Sequence, residues 1–261
     1  MAGKVKEVFR LAEEIGRDIR SFEEVPRLMS LAYELALSEP RTAHGRILKA
    51  ERLSQARGRH GRTWIAESGG LWMALSFYDD HLPQTYGLFP LIFGLAMARM
   101  ALDLGLPARI RWINDLHFRG RKLAGVLIEK HAEWLIVGLG INVNNPPPPG
   151  IPAETLSRLA GKYISLDEIF HLVIHHLRYY YALFRHLEAE LSPYEEVPEN
   201  ELIKDFRKYS DTLGRCVAWA GNLDREEPLI AHTRDILPNG SLLLETEEGS
   251  FPVNFGEIIY I

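Results

Sequence analysis

A change of rhythm near residue 210 constrains this chain most. Before it, apolar residues recur in helical steps or in isolated runs. From Gly214 onward the chain turns to short alternating runs, broken by turn signals at Gly221-Asn222, Pro238-Asn239-Gly240 and Glu248-Gly249-Ser250. Asn-Gly between apolar runs is a strong hairpin signal, because both residues tolerate positive φ. The pattern predicts an α+β fold, a mixed sheet flanked by helices over 1–210, followed by a small β-barrel over 211–261. A length of 261 residues suits one large domain with a small appendage.

Within the first part, Val5, Val8, Phe9, Ala12, Ile15 and Ile19 recur at three- and four-residue steps and predict an amphipathic helix over 1–22. A second helix is expected over Val25 to Leu37, ending before Pro40. Arg46 to Arg52 and Leu71 to Phe77 read as strands, separated by a polar loop from Leu53 to Gly70. Leu88 to Leu104 reads as a buried helix, and Arg109 to Ile113, Lys122 to Glu129 and Glu133 to Gly138 as short strands. Pro146 to Pro149 can be neither helix nor central strand and predicts a stiff surface connection. Leu166 to Leu187 predicts a long helix.

Composition narrows the class of function. With 46% hydrophobic residues the chain can bury a sizeable core, and 30 Lys+Arg against 35 Asp+Glu leave a formal charge of −5. No overall positive field draws it to nucleic acid or an anionic membrane, so any basic site is local. Pro90, Arg99 and Asp103 interrupt the longest apolar segment, which argues against a membrane span. The lone Cys216 permits no intrachain disulfide, in keeping with a reducing cytoplasm. Glu168, His171 and His175 share a helix face, but a solvated face explains them better than a metal site.

Two clusters suggest chemistry. Arg57-Gly58-Arg59-His60-Gly61-Arg62 packs three guanidinium groups and two glycines ahead of Trp64. Glycine lets backbone approach a ligand, and arginine forks match carboxylate or phosphate oxygens. Mutual repulsion among the three arginines predicts a loop that orders only around an anion. A solvated basic loop or a nucleic-acid tether is the plainer alternative. The second cluster is Arg111-Trp112-Ile113-Asn114-Asp115 with Lys122-Leu123-Ala124-Gly125; pairing of 109–113 with 122–129 as a hairpin would bring Arg111, Asp115 and Lys122 together. An ordinary turn with an exposed lysine is the alternative there. Gly138-Leu139-Gly140-Ile141-Asn142 lacks the third glycine and following helix of a dinucleotide site.

These segments, in this order and spacing, resemble the biotin protein ligases. Ala50-Glu51 through Trp64, Trp112-Ile113-Asn114-Asp115 with Arg121 to Gly125 and Glu129, and Gly138 to Asn144 carry the resemblance, together with Gly69-Gly70-Leu71 and Ser76. Leu213-Gly214-Arg215 and Gly256-Glu257-Ile258 resemble that family's SH3-like end domain. The resemblance implies a class II synthetase-like catalytic domain and a cytoplasmic enzyme that adenylates biotin with ATP and passes it to a lysine of a biotin carboxyl carrier domain. Mg²⁺ would arrive on ATP. It also implies catalytic roles for Arg57, Arg59 and Lys122, and substrate or nucleotide contacts for Gly58, Gly61, Trp64, Arg111, Asn114, Asp115, Gly125 and Asn142. Leu53, Trp72 and Ser76 would border the acid pocket. No metal ligands are indicated; a homodimer is compatible with the family, and specific DNA or membrane binding is not expected.

The chain departs from the family pattern at the acid end. Arg27-Leu28 stands where a Ser-Thr pair is usual and Leu53 where a glutamine is usual, both of which serve biotin's polar ring. Ala56 replaces a glycine, Ile113 a proline and Thr63 a lysine. The alternatives these changes leave are a related ligase for another carboxylic acid, such as lipoate or octanoate, and a non-catalytic relative.

Overall fold

A computed structural model describes residues 10–147 and 150–261. Seven strands form one sheet in the order β1-β2-β3-β7-β6-β5-β4. They are β1 (Ile19–Val25), β2 (Ile47–Leu53), β3 (Leu71–Tyr78), β4 (Arg109–Arg111), β5 (Asp115–Phe118), β6 (Arg121–His131) and β7 (Trp134–Ile141). Only β1 and β2 pair in parallel; the other neighbours are antiparallel, so the sheet is mixed as expected.

After a helical stretch at 10–14, the described residues form α1 (Leu28–Ser38), α2 (Pro40–Ala43), α3 (Phe89–Asp103), α4 (Leu156–Ala160), α5 (Leu166–Glu190) and α6 (Glu201–Tyr209). Both faces of β3 are covered. Leu71, Met73, Leu75 and Phe77 enter one core with α3 and α5, while Trp72 and Ala74 enter the other with Leu28, Met29, Ala32 and Ala36 of α1. Burial on two sides explains a continuous apolar run where a half-exposed strand would alternate. The segment Pro83–Asp103 is long and apolar enough to cross a membrane, but it is mostly buried within the protein. Ser165 caps α5 by accepting from the Glu168 amide, with Asp167 and Glu168 in the first turn, where the helix dipole favours carboxylates.

A second, wholly antiparallel sheet follows in the order β11-β10-β9-β8-β12. It comprises β8 (Cys216–Ala220), β9 (Leu229–Ile236), β10 (Leu242–Thr246), β11 (Gly249–Val253) and β12 (Glu257–Tyr260) and fits the expected barrel-like appendage. It meets the first part of the chain by backbone, at the turn that precedes α3. A Cβ on Gly240 would lie 2.4 Å from the Gly87 carbonyl oxygen, and one on Gly87 would lie 2.4 Å from that of Asn239. Trp112 Nε1 donates to the Gly240 carbonyl at 3.2 Å.

Two expectations need correction. The helix over 1–22 is helical at 10–14 within the described residues, Val5, Val8 and Phe9 lying outside them. It stops before Gly16, whose φ of 78° is left-handed, and Ile19 opens β1 opposite Ile47. The Ile15-Ile19 spacing fits a helix, but the backbone of this stretch is claimed by the edge of the sheet. Strands β4 and β6 do not pair, because the four residues of β5 lie between them and bond to both. Of the proline run, Pro148 and Pro149 lie outside the described residues.

Candidate active site

A cavity of about 690 Å³ opens between α1, the sheet and the second sheet. One end is cationic. Asp115 Oδ1 accepts from Lys122 Nζ at 2.7 Å and Oδ2 from Arg111 Nη2 at 3.0 Å, so the three residues do meet, across β4, β5 and β6. Burial pushes the Asp115 carboxyl upward in pKa, yet the fields of Lys122, Arg111 and Arg59 outweigh it and hold the value at about 2. Gly125 lies opposite Asp115 in the β5–β6 register; a Cβ there would fall 2.8 Å from Lys122 Cε and 2.9 Å from its Nζ. Glycine at this position is what lets the lysine lie across the strand.

Trp64 spans the middle of the cavity. Its ring is 5.2 Å from Lys122 Nζ and edge-on to Trp72 at 6.3 Å. A Cβ on Gly140 would approach Trp64 Cζ2 to 3.0 Å, and one on Gly138 would approach Met29 Sδ to 2.6 Å. The two glycines that tempt a dinucleotide reading therefore make room for side chains of this cavity. Beyond Trp64 the wall is apolar, formed by Leu28, Met29, Leu53, Trp72 and Leu127, with Arg27 beside them.

The arginine loop is anchored more firmly than mutual repulsion suggests. Arg62 donates to both carboxylate oxygens of Glu257, at 2.6 and 2.8 Å, and to Asp224 at 2.6 Å. Arg59 donates to the Gly256 carbonyl at 2.7 Å. Burial raises the Glu257 pKa, and Arg62 and Arg59 draw it below the usual carboxylate value. Arg57 lines the cavity with no ion pair among the described residues. The turn closes at His60 and Gly61, with φ of 56° and 78°.

Of the residues expected from sequence, Arg57, Gly58, Arg59, Trp64, Arg111, Asp115, Lys122, Gly125, Leu53 and Trp72 line the cavity. Four do not. Ser76 faces the same side of β3 as Trp72 but four residues farther along, roughly 13 Å away, where its hydroxyl donates to the Ala43 carbonyl. Asn114 donates to the Val126 carbonyl and Asn142 accepts from Asn145, so both brace turns. Gly61 sits at the exposed tip of the loop. Glu257 and Tyr260 of β12 and Asp224 of the β8–β9 loop join the site; only the Gly256-Glu257-Ile258 triplet pointed toward them in the sequence.

Residues 29–144 match the profile of the biotin/lipoate A/B protein ligase family. The chain is 29% identical over 223 residues to a biotin–acetyl-CoA-carboxylase ligase of Mycobacterium tuberculosis, covering 83% of this chain and 79% of that one. It is 30% identical over 164 residues to a bifunctional ligase/repressor of Bacillus subtilis, whose length it spans by half. The fold is similar to that of a biotin protein ligase from Aquifex aeolicus solved with biotin and ATP, with a TM-score of 0.78 and 26% identity over 94% of this chain and 98% of that one. These likenesses agree: the chain carries a biotin/lipoate A/B protein ligase match over residues 29–144 and is similar along most of its length to biotin protein ligases in sequence and in fold.

Proposed function

We propose that the protein is an ATP-dependent biotin protein ligase, with residues 1–210 as its catalytic unit and 211–261 as an SH3-like unit that holds the arginine loop. The observation that carries this reading is one cavity with a Lys122–Asp115–Arg111 cluster and the arginine loop at one end, Trp64 in the middle and an apolar wall at the other. A carboxylate oxygen of the acid attacks the α-phosphorus of ATP as the bond to pyrophosphate breaks. The carrier lysine's amine then attacks the acyl carbon, losing a proton, and AMP leaves. Lys122 and Arg57 steady the developing charge on the carboxylate and phosphoryl oxygens, Arg111 and Arg59 add to that field, and Trp64 offers a face to the adenine. Catalysis is orientation and charge neutralisation, with no covalent enzyme intermediate.

Mg²⁺ belongs on the triphosphate in this scheme. Asp115, Asp224 and Glu257, the acidic side chains lining the cavity, are each already engaged by a cation, so they fit no protein-built metal site. The acceptor is a biotin carboxyl carrier domain, in a cytoplasmic setting consistent with the free thiol of Cys216.

Incubating the chain with ATP, Mg²⁺, biotin and such a carrier domain should add one biotinyl mass to the carrier. No mass change, together with no biotin-dependent pyrophosphate release, rejects the proposal. A ligase for lipoate or octanoate is the second reading, favoured by Leu28 and Leu53 on the acid wall.

A further inference from the structure

The apolar end of the cavity contains one charged side chain, and its setting is specific. Arg27 Nη2 donates to Glu129 Oε1 at 2.5 Å, while Glu129 Oε2 also faces His131 Nε2 at 3.3 Å. Arg27 Nη1 donates to Ser30 Oγ at a long 3.4 Å, which leaves its second hydrogen available. Around it stand Leu28, Met29, Leu53 and Leu127, none of which offers a side-chain oxygen. A guanidinium pinned at one nitrogen by a carboxylate, and set in an apolar wall, is a prearranged hydrogen-bond donor.

We infer that Arg27, positioned by Glu129, selects the acid substrate by donating from Nη1 to a neutral acceptor oxygen at the tail opposite the reacting carboxylate. The inference rests on the adenylation reading of the same cavity. Glu129 already neutralises Arg27, so a second carboxylate on the tail gains little, whereas a urea or amide carbonyl is well matched. A purely hydrocarbon or dithiolane tail would desolvate the guanidinium and give it no partner. In place of the hydroxyl pair and amide usual in the family, this pocket would read biotin's cyclic urea through one charged donor.

The test compares biotin with octanoate, whose tail has no oxygen, in acid-dependent pyrophosphate exchange and in calorimetry on the full chain. Arg27→Met should raise the KM and Kd for biotin about ten- to a hundredfold, the range for one charge-assisted hydrogen bond. The KM for ATP should stay within about twofold, octanoate should bind at least as tightly as to the wild type, and Arg27→Lys should recover part of the loss. Glu129→Gln should weaken biotin in the same selective way, a pattern that a merely structural role would not produce. ATP binding by each variant verifies folding, and Arg27→Gln replaces a variant that fails it. Unchanged biotin affinity in Arg27→Met, or equal weakening of biotin and octanoate, overturns the inference while leaving the ligase reading in place. A wild-type protein that activates octanoate but not biotin overturns it too and leaves adenylation standing; no acyl-adenylate with either acid removes the adenylation reading itself.

Discussion

Replacing Lys122 by alanine removes one of the two cations that hold Asp115 in a buried position. Breaking a buried ion pair costs about 3–5 kcal/mol when the remaining charge has no other partner. Asp115 keeps Arg111 at 3.0 Å, so a loss near 2 kcal/mol, the value of one charge-assisted hydrogen bond, is expected instead. Turnover should fall much further, by roughly 10²- to 10³-fold, because a preorganised charge facing the reacting oxygens is gone. Urea unfolding and biotin-dependent pyrophosphate exchange separate the two effects. Asp115→Asn supplies the control, since it leaves the lysine present but less firmly held, and its turnover should drop only about tenfold. A Lys122→Ala variant that turns over within threefold of wild type, with either biotin or octanoate, refutes the assignment of Lys122 to the reaction.

Gly125→Ala should cost less than about 1 kcal/mol of stability, since its Cβ meets the flexible end of Lys122, yet reduce turnover at least tenfold by displacing that amine; normal turnover would show that Lys122 tolerates the shift. Ser76→Ala should lose about 1 kcal/mol in urea unfolding through its bond to Ala43 while leaving the biotin KM unchanged, and a raised KM would return Ser76 to the acid pocket. Burial holds the pKa of His44 at about 4, where its Nδ1 accepts from the Tyr78 amide. Between pH 6.5 and 4 the unfolded chain therefore binds this proton and the folded protein does not, so stability should fall as pH drops through that window, on the order of 3 kcal/mol in all. His44→Gln should flatten that part of a stability-against-pH curve, and identical slopes for the two proteins would exclude the histidine as the cause.

Much of the architecture was legible because long apolar runs leave few choices. The run Leu71 to Phe77 is too short for a core helix and too apolar for an exposed strand, and Leu166 to Leu187 holds a helical period over many turns before its end at Glu190. Ile19 is ambiguous in the sequence because one apolar residue after Ile15 satisfies a helix as well as a strand. β5 escaped because four residues between a turn and Gly120 carry too little pattern. In the cavity, glycines and charges were visible as motifs, whereas their partners were not. Arg62 meets Glu257 across 195 residues and Arg27 meets Glu129 across 102, and no local spacing encodes such pairs.

The contact between Gly87 and Gly240 has a mechanical consequence. Two backbones in that close approach leave no room for an added Cβ on either glycine, so the joint holds its spacing. The second sheet is also held by the ion pairs from Arg59 and Arg62 to Glu257, and by Arg207 of α6, which donates to Asp235 at 2.7 Å and to the Ile236 carbonyl at 2.8 Å. Widening the cavity by moving the second sheet therefore means releasing Glu257 first, and whatever anion draws Arg59 or Arg62 away also unfastens the wall behind it.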